Sequence, residues 1–81
     1  MVEPDESTPA APDAVLRALA DPHRRQILRL VQQTELPAGR IAATFTLTLT
    51  QQAVSQHIGV LKHAELLTER RESARRLYKL A

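Results

Sequence analysis

The sequence predicts a mainly α-helical domain closed by a β-hairpin. Three observations lead there. Apolar residues recur at helical spacing in four segments between Asp13 and Ala64. Asp21-Pro22, Pro37 and Thr50 stand at the starts of three of these segments, where a capping side chain or a first-turn proline belongs. Beyond Leu66-Leu67 the helical period stops, and two short strand-compatible runs flank Glu72-Ser73-Ala74. At 81 residues the chain supports one small domain with a modest core.

Residues 1–12 carry Pro4, Pro9 and Pro12 among Ser, Thr and acids, with almost no large apolar residue. They read as a disordered acidic tail, leaving 13–81 as the folded domain. Asp13 is expected to cap a helix over about 13–20 with Val15, Leu16 and Leu19 on one face. Asp21 offers a carboxylate to the free N–H groups of a second helix, and Pro22 fills its first position at no hydrogen-bond cost. That helix runs to about Gln33 with Ile27, Leu28 and Val31 inward and Arg24, Arg25 and Arg29 mostly off the stripe. Pro37 opens a third helix over about 37–45, turning Ile41, Ala42 and Phe45 inward, while small Ala42 and Ala43 admit a close neighbour. Thr46 to Leu49 connect it to a fourth helix over about 50–64, capped by Thr50. Two helices with so short a connector have helix-turn-helix spacing. Strands over about 67–71 and 75–80 complete the chain. Arg76, Tyr78 and Leu80 share one face, but Leu77 lies on the other, so either facing of the hairpin is open. A lone two-stranded ribbon is marginal and must lean on the helices, as a wing does.

The helix after Thr50 is the most informative segment. At 100° per residue Val54, Ile58 and Leu61 form a core stripe. Gln52, Ser55, Gln56, Gly59 and His63 cluster opposite. That outer face lacks the Glu/Lys pairs that usually solubilise a helix. Its amides and hydroxyl match base edges in a major groove, where an amide pairs bidentately with adenine. Around the hairpin turn stand Arg70, Arg71, Arg75 and Arg76, more arginines than solubility requires and suited to phosphates.

Charge agrees with this. The net +2 hides an asymmetry: residues 1–14 hold four acids and no Lys or Arg, and the remainder sets eleven basic against five acidic residues, near +6. A basic domain attracts polyanions. The absence of cysteine excludes disulfides and thiolate metal sites. No apolar run reaches the roughly 20 residues of a membrane span, and no secretory signal is visible, so the cytoplasm is the expected location. Catalysis finds no support: Gly39 and Gly59 are isolated, and Ser55 and His57, two apart on one helix, point in different directions. His23, His57 and His63 lack the one-turn spacing by which two helical histidines share an ion, so neither metal nor cofactor is expected. Arg24 and Arg25 either pair with acids such as Glu65 and Glu69 or flank a DNA backbone. The aromatic residues offer no stacking platform for single strands: Phe45 reads as core and Tyr78 as an anchor for the wing.

Three segments, in order, resemble the ArsR-type winged helix-turn-helix repressors. Ala18-Leu19-Ala20-Asp21-Pro22-His23-Arg24-Arg25-Gln26-Ile27-Leu28 is similar to their entry segment, Gln52-Ala53-Val54-Ser55-Gln56-His57-Ile58 to their recognition helix, and Arg70-Arg71-Glu72 with Arg76-Leu77-Tyr78 to their wing. The resemblance covers about Val15 to Leu80 and implies a homodimeric transcriptional repressor bound to a near-symmetric duplex DNA operator. It implies that Thr50 contacts a phosphate and that Gln51, Gln52, Ser55, Gln56 and His57 face the groove. With Lys62 and the wing residues Arg70, Arg71, Arg75 and Arg76, these make the candidate DNA-binding set. Departures from the family pattern are a connector from Phe45 to Thr50 about two residues longer than usual, the missing metal-binding cysteines, and an end at Ala81 where the family adds a helix to its dimer interface. The last of these implies a weakened dimer.

Two rival readings compete. A winged helix can serve as a protein-interaction module, which requires a large exposed apolar patch around Leu47 and Leu49 or on the first helix. A structured-RNA binder would prefer A-form duplexes or hairpins.

Overall fold

The computed structural model describes residues 12–81. The expected tail lies outside these residues, apart from Pro12. The elements are α1 (Pro12–Leu19), α2 (Pro22–Leu30), β1 (Leu36–Pro37), α3 (Ala38–Thr44), α4 (Gln51–His63), β2 (Leu67–Glu72) and β3 (Arg75–Leu80). The helices surround a core of Ile27, Val31, Ile41, Phe45, Val54, Ile58 and Leu61, with Leu67 and Tyr78 supplied by the sheet. Among the described residues, no helix is long and apolar enough to cross a membrane.

α1 begins at Pro12, and Asp13 lies within its first turn instead of capping it. A proline is tolerated at that first position because its missing N–H would be unpaired anyway. The expected inward face is corrected: Ala18 is the buried residue, Val15 and Leu19 are half-buried, and Leu16 is 66% exposed. Residues 15, 18 and 19 share a helical face, and 16 falls outside it.

α2 starts as the Asp21-Pro22 pair predicts. Asp21 Oδ1 accepts from the backbone N–H groups of His23 (2.7 Å) and Arg24 (3.2 Å). It ends at Leu30, short of Gln33, with Val31 as C-cap. The chain turns there so that Leu36-Pro37 reaches the sheet. This short strand was not expected, since two residues carry no periodicity. Leu36 pairs with Tyr78 and Pro37 with Leu77, antiparallel, on an edge where proline's missing N–H is harmless. Pro37 is consequently the N-cap of α3, not its first residue.

The long connector is a compact turn. The Phe45 carbonyl accepts from the N–H groups of Thr48 (2.9 Å) and Leu49 (2.8 Å), and Thr46 Oγ1 donates to the Ala43 carbonyl (2.8 Å). Leu49 packs on the core, while Leu47 is 99% exposed. Thr50 then caps α4, its Oγ1 accepting from the Ala53 N–H at 3.0 Å. Val54, Ile58 and Leu61 are buried along one stripe.

α4 closes with two bonds that satisfy its last carbonyls: Glu65 N–H to Lys62 (2.9 Å) and Leu66 N–H to Leu61 (2.9 Å). This closure puts Glu65 in the left-handed region, φ 63°. The sheet order is β1-β3-β2. The register sets Leu67, Glu69 and Arg71 opposite Leu80, Tyr78 and Arg76, all on one face, and Arg70 and Glu72 opposite Leu77 and Arg75 on the other. The Leu80 N–H donates to the Val31 carbonyl (3.1 Å), and that of Ala81 to the Leu66 carbonyl (3.1 Å), fastening the end of β3 to the helices.

Two substitutions test these backbone assignments by thermal unfolding. Glu65→Gly relieves the left-handed strain and should stabilise the fold by about 0.5–1 kcal/mol; a destabilised variant would contradict the strain assignment. Gly59 lies mid-helix with open space where a Cβ would project. Gly59→Ala should therefore stabilise by up to about 1 kcal/mol.

Candidate nucleic-acid interface

The outward surface of α4 divides into two columns. Gln51, Ser55 and Lys62 fall within about 40° of one another on the side of α3 and the wing, and Gln52, Gln56 and His63 lie about 100° away. All six are exposed, as is Thr50 at the helix start. The core stripe sets this rotation and leaves the amides and hydroxyls outward, without salt bridges.

His57 is different. It is half-buried and turns toward α2, where its Nδ1 lies 3.3 Å from Arg24 Nη1 and its ring centroid 5.8 Å from that of His23. Arg24 is itself tied down: Nε donates to the Ala18 carbonyl (2.8 Å) and Nη2 to the Arg17 carbonyl (2.8 Å). Arg25 Nη1 likewise donates to the Leu19 carbonyl (2.7 Å). Both arginines therefore satisfy the carbonyl end of α1 and its dipole, and neither pairs with Glu65 or Glu69. Burial disfavours the Asp21 carboxylate. The two backbone N–H bonds and the nearby His57 and Arg24 outweigh that and hold its pKa below the ordinary value.

Lys62 and the wing form a brace. Glu69 Oε1 accepts from the Tyr78 hydroxyl (2.8 Å), and Glu69 Oε2 lies 3.2 Å from Lys62 Nζ. Glu69 thus joins α4 to β3 and fixes the wing beside the helix. The Tyr78 and Lys62 hydrogen bonds lower the Glu69 pKa, whereas burial first and Glu69 second raise that of Tyr78. The glutamate contribution is complete above the ordinary carboxylate value and is lost as pH falls through the lowered one. The tyrosine contribution is present below the ordinary phenol value and is lost as pH rises through the raised one.

The four wing arginines do not act alike. Arg70 makes a two-pronged pair with Glu35 (2.9 and 2.7 Å) and reaches Glu72 (2.9 Å), so its charge is balanced by two carboxylates. Arg75 lies 3.8 Å from Glu72. Arg71 and Arg76 face each other directly across the strands on the α4 side of the sheet, and among the described residues neither makes an ion pair. Like charges so placed repel. A further cation, missed in the sequence, joins them: Arg40 of α3 lines a cleft of about 440 Å³ with Arg75 and Arg76. Its isolation in a neutral stretch left no signal for finding it.

A family model described as a helix-turn-helix domain matches residues 19–70. The chain is 40% identical over 74 residues to the HTH-type transcriptional regulator Rv2034 of Mycobacterium tuberculosis, covering 91% of this chain and 67% of that one. It is 36% identical over 58 residues to the transcriptional repressor SdpR of Bacillus subtilis, covering 72% and 62%. The solved HlyU of Vibrio cholerae superposes with a TM-score of 0.75 at 33% identity, covering 85% of this chain and 73% of that one. Solved proteins carrying the ArsR family name share the fold. The chain belongs to the ArsR-type helix-turn-helix family of transcriptional regulators, which bind DNA and are not enzymes. It spans about two thirds of the length of its curated relatives.

Tyr78 is the only tyrosine and there is no tryptophan, so ultraviolet absorbance isolates the brace. The phenolate should form with a midpoint above the ordinary value of 10.0. In Glu69→Gln the midpoint should fall toward that value but stay above it, because burial remains. An unchanged midpoint would remove Glu69 from the brace.

Proposed function

We propose that this protein represses transcription by binding a specific duplex operator, with α4 in the major groove and the wing on the adjacent backbone. One observation carries the reading. An outward face of uncharged hydrogen-bonding side chains on α4 lies beside a wing that holds two arginines without an ion pair among the described residues, Arg71 and Arg76, directly opposite each other. A polyanion along that side would attract both and offset their mutual repulsion. Gln52, Ser55 and Gln56 are assigned to base edges, and Thr50 and Gln51 to the groove wall. Arg71 and Arg76, with Arg75 and Arg40 flanking, are assigned to phosphates. Arg70 and Lys62 act mainly by holding the wing, and His57 by packing against α2.

Repression asks least of such a domain, since occupancy of the operator suffices. SdpR is named a repressor, whereas HlyU is named an activator, and both roles begin with operator binding. We further propose that two copies bind together through α1, using Val15, Leu16 and Leu19. This would set the two α4 helices on half-sites about 10 base pairs apart. As a location we propose the cytoplasm, where the operator is found. The rival of a protein-interaction module has less support: Leu16, Leu47 and Val60 are the exposed large apolar residues among those described, and Leu49 packs on the core.

Selection of bound duplexes from a random pool should enrich one motif, whose symmetry and stoichiometry report the dimer. On that motif Gln56→Ala should cost about 1–3 kcal/mol while random-duplex affinity stays unchanged. Arg71→Ala should weaken both duplexes alike and reduce the log–log salt slope by about 1. Equal losses on both duplexes for Gln56→Ala would contradict base reading, and preference for A-form hairpins would favour RNA.

A further inference from the structure

We propose that Asp21, His23 and His57 form a binding site for a divalent transition-metal ion, joining the first turn of α2 to the middle of α4. Spacing along the chain hid this cluster, because its histidines come from different helices. Packing of α2 on α4 brings one ligand atom from each of the three residues within 4.8 Å of the others. Metal–nitrogen and metal–oxygen bonds of about 2.0–2.2 Å require donors roughly 3.3 Å apart, so the three must close by at most about 1.5 Å. The side chains are only partly buried, which leaves room for that adjustment. His23 Nδ1 already lies 3.5 Å from Asp21 Oδ1.

The donor chemistry selects the ion. Two imidazoles and one carboxylate suit Zn²⁺, Co²⁺ or Ni²⁺, with water completing the shell, and do not suit Mg²⁺ or Ca²⁺, which prefer oxygen cages. Both backbone N–H groups capped by Asp21 end on Oδ1, the oxygen that also lies 3.5 Å from His23 Nδ1, so the ion would share the carboxylate with the helix cap. The competing cation is Arg24, whose Nη1 contacts His57 Nδ1 at 3.3 Å. Coordination through His57 Nδ1 would displace this one contact. The guanidinium keeps its bonds to the Ala18 and Arg17 carbonyls. The proximity of Arg24 and the three-ligand set make this a weaker site than a closed four-ligand one.

The test is a titration of the untagged chain with Zn²⁺ and Co²⁺, read by calorimetry, by the visible absorption of bound Co²⁺ and by NMR of the three histidine rings. One ion per chain is expected, with Zn²⁺ shifting the His23 and His57 resonances and leaving those of His63 in place. His23→Ala and His57→Ala should each weaken binding by roughly 10–100-fold or more. Asp21→Asn keeps the helix cap, since Asn caps as well as Asp, yet removes the anionic ligand, and should weaken binding with the fold intact by circular dichroism. Absence of uptake by the folded wild-type chain, or binding unaffected by Asp21→Asn and His23→Ala, would overturn the proposal. A consequence for operator affinity, measured with and without Zn²⁺, rests on the DNA-binding reading. The ion titration uses free protein and stands or falls without it.

Discussion

Burial of Val54, Ile58 and Leu61 fixes the rotation of α4 about its own axis, and the rest of the interface follows from that constraint. Each buried side chain contributes on the order of 1.5–3 kcal/mol. Rolling the helix to hide its amides would expose all three at once, and desolvate Gln52 and Gln56 without partners. The helix therefore has one stable orientation. In it the polar columns face outward, with Lys62 committed to Glu69 and the amides and the Ser55 hydroxyl turned to the surface. Thr50 and the closure at Glu65 end the helix at both sides, so the array begins and stops at defined points.

The wing depends on that helix in turn. Glu69 links Lys62 of α4 to Tyr78 of β3, and two strand-end bonds tie Leu80 and Ala81 to the helical body. β1 adds a third strand on the far edge, which a bare hairpin would lack. The consequence is a division of labour among residues of one type. Arg70 is absorbed by Glu35 and Glu72, whereas Arg71 and Arg76 keep their charge on the α4 side. Net charge predicts attraction to polyanions, but only the strand register says which arginines remain to supply it.

The α1–α2 corner is the other junction. Asp21 caps α2, Arg24 and Arg25 close the end of α1, and Arg24 reaches across to His57 on α4. A few polar contacts thus add to the apolar core that Ala18, Ile27, Val54, Ile58 and Leu61 form between these three helices. It is also the place where two histidines distant in sequence meet a carboxylate, so this corner is where a ligand would be felt by α4.

Local chemistry was enough to determine much of this protein. Asp21-Pro22 and Thr50 carry their helix starts in their own side chains. The stripe of Val54, Ile58 and Leu61 recurs at the helical period, and the family resemblance rests on the same residues. Other features depend on partners far away along the chain. Leu36-Pro37 becomes a strand only because β3 lies beside it. Leu16 turns outward because α1 packs through the face of Val15, Ala18 and Leu19. Arg40 joins Arg75 and Arg76, and His23 joins His57, through packing alone. Caps and periodicity act within one helical turn and are written in the chain. Strand pairing, the fate of each charge and the meeting of His23 with His57 are interactions between elements, and they exist only once the elements are packed.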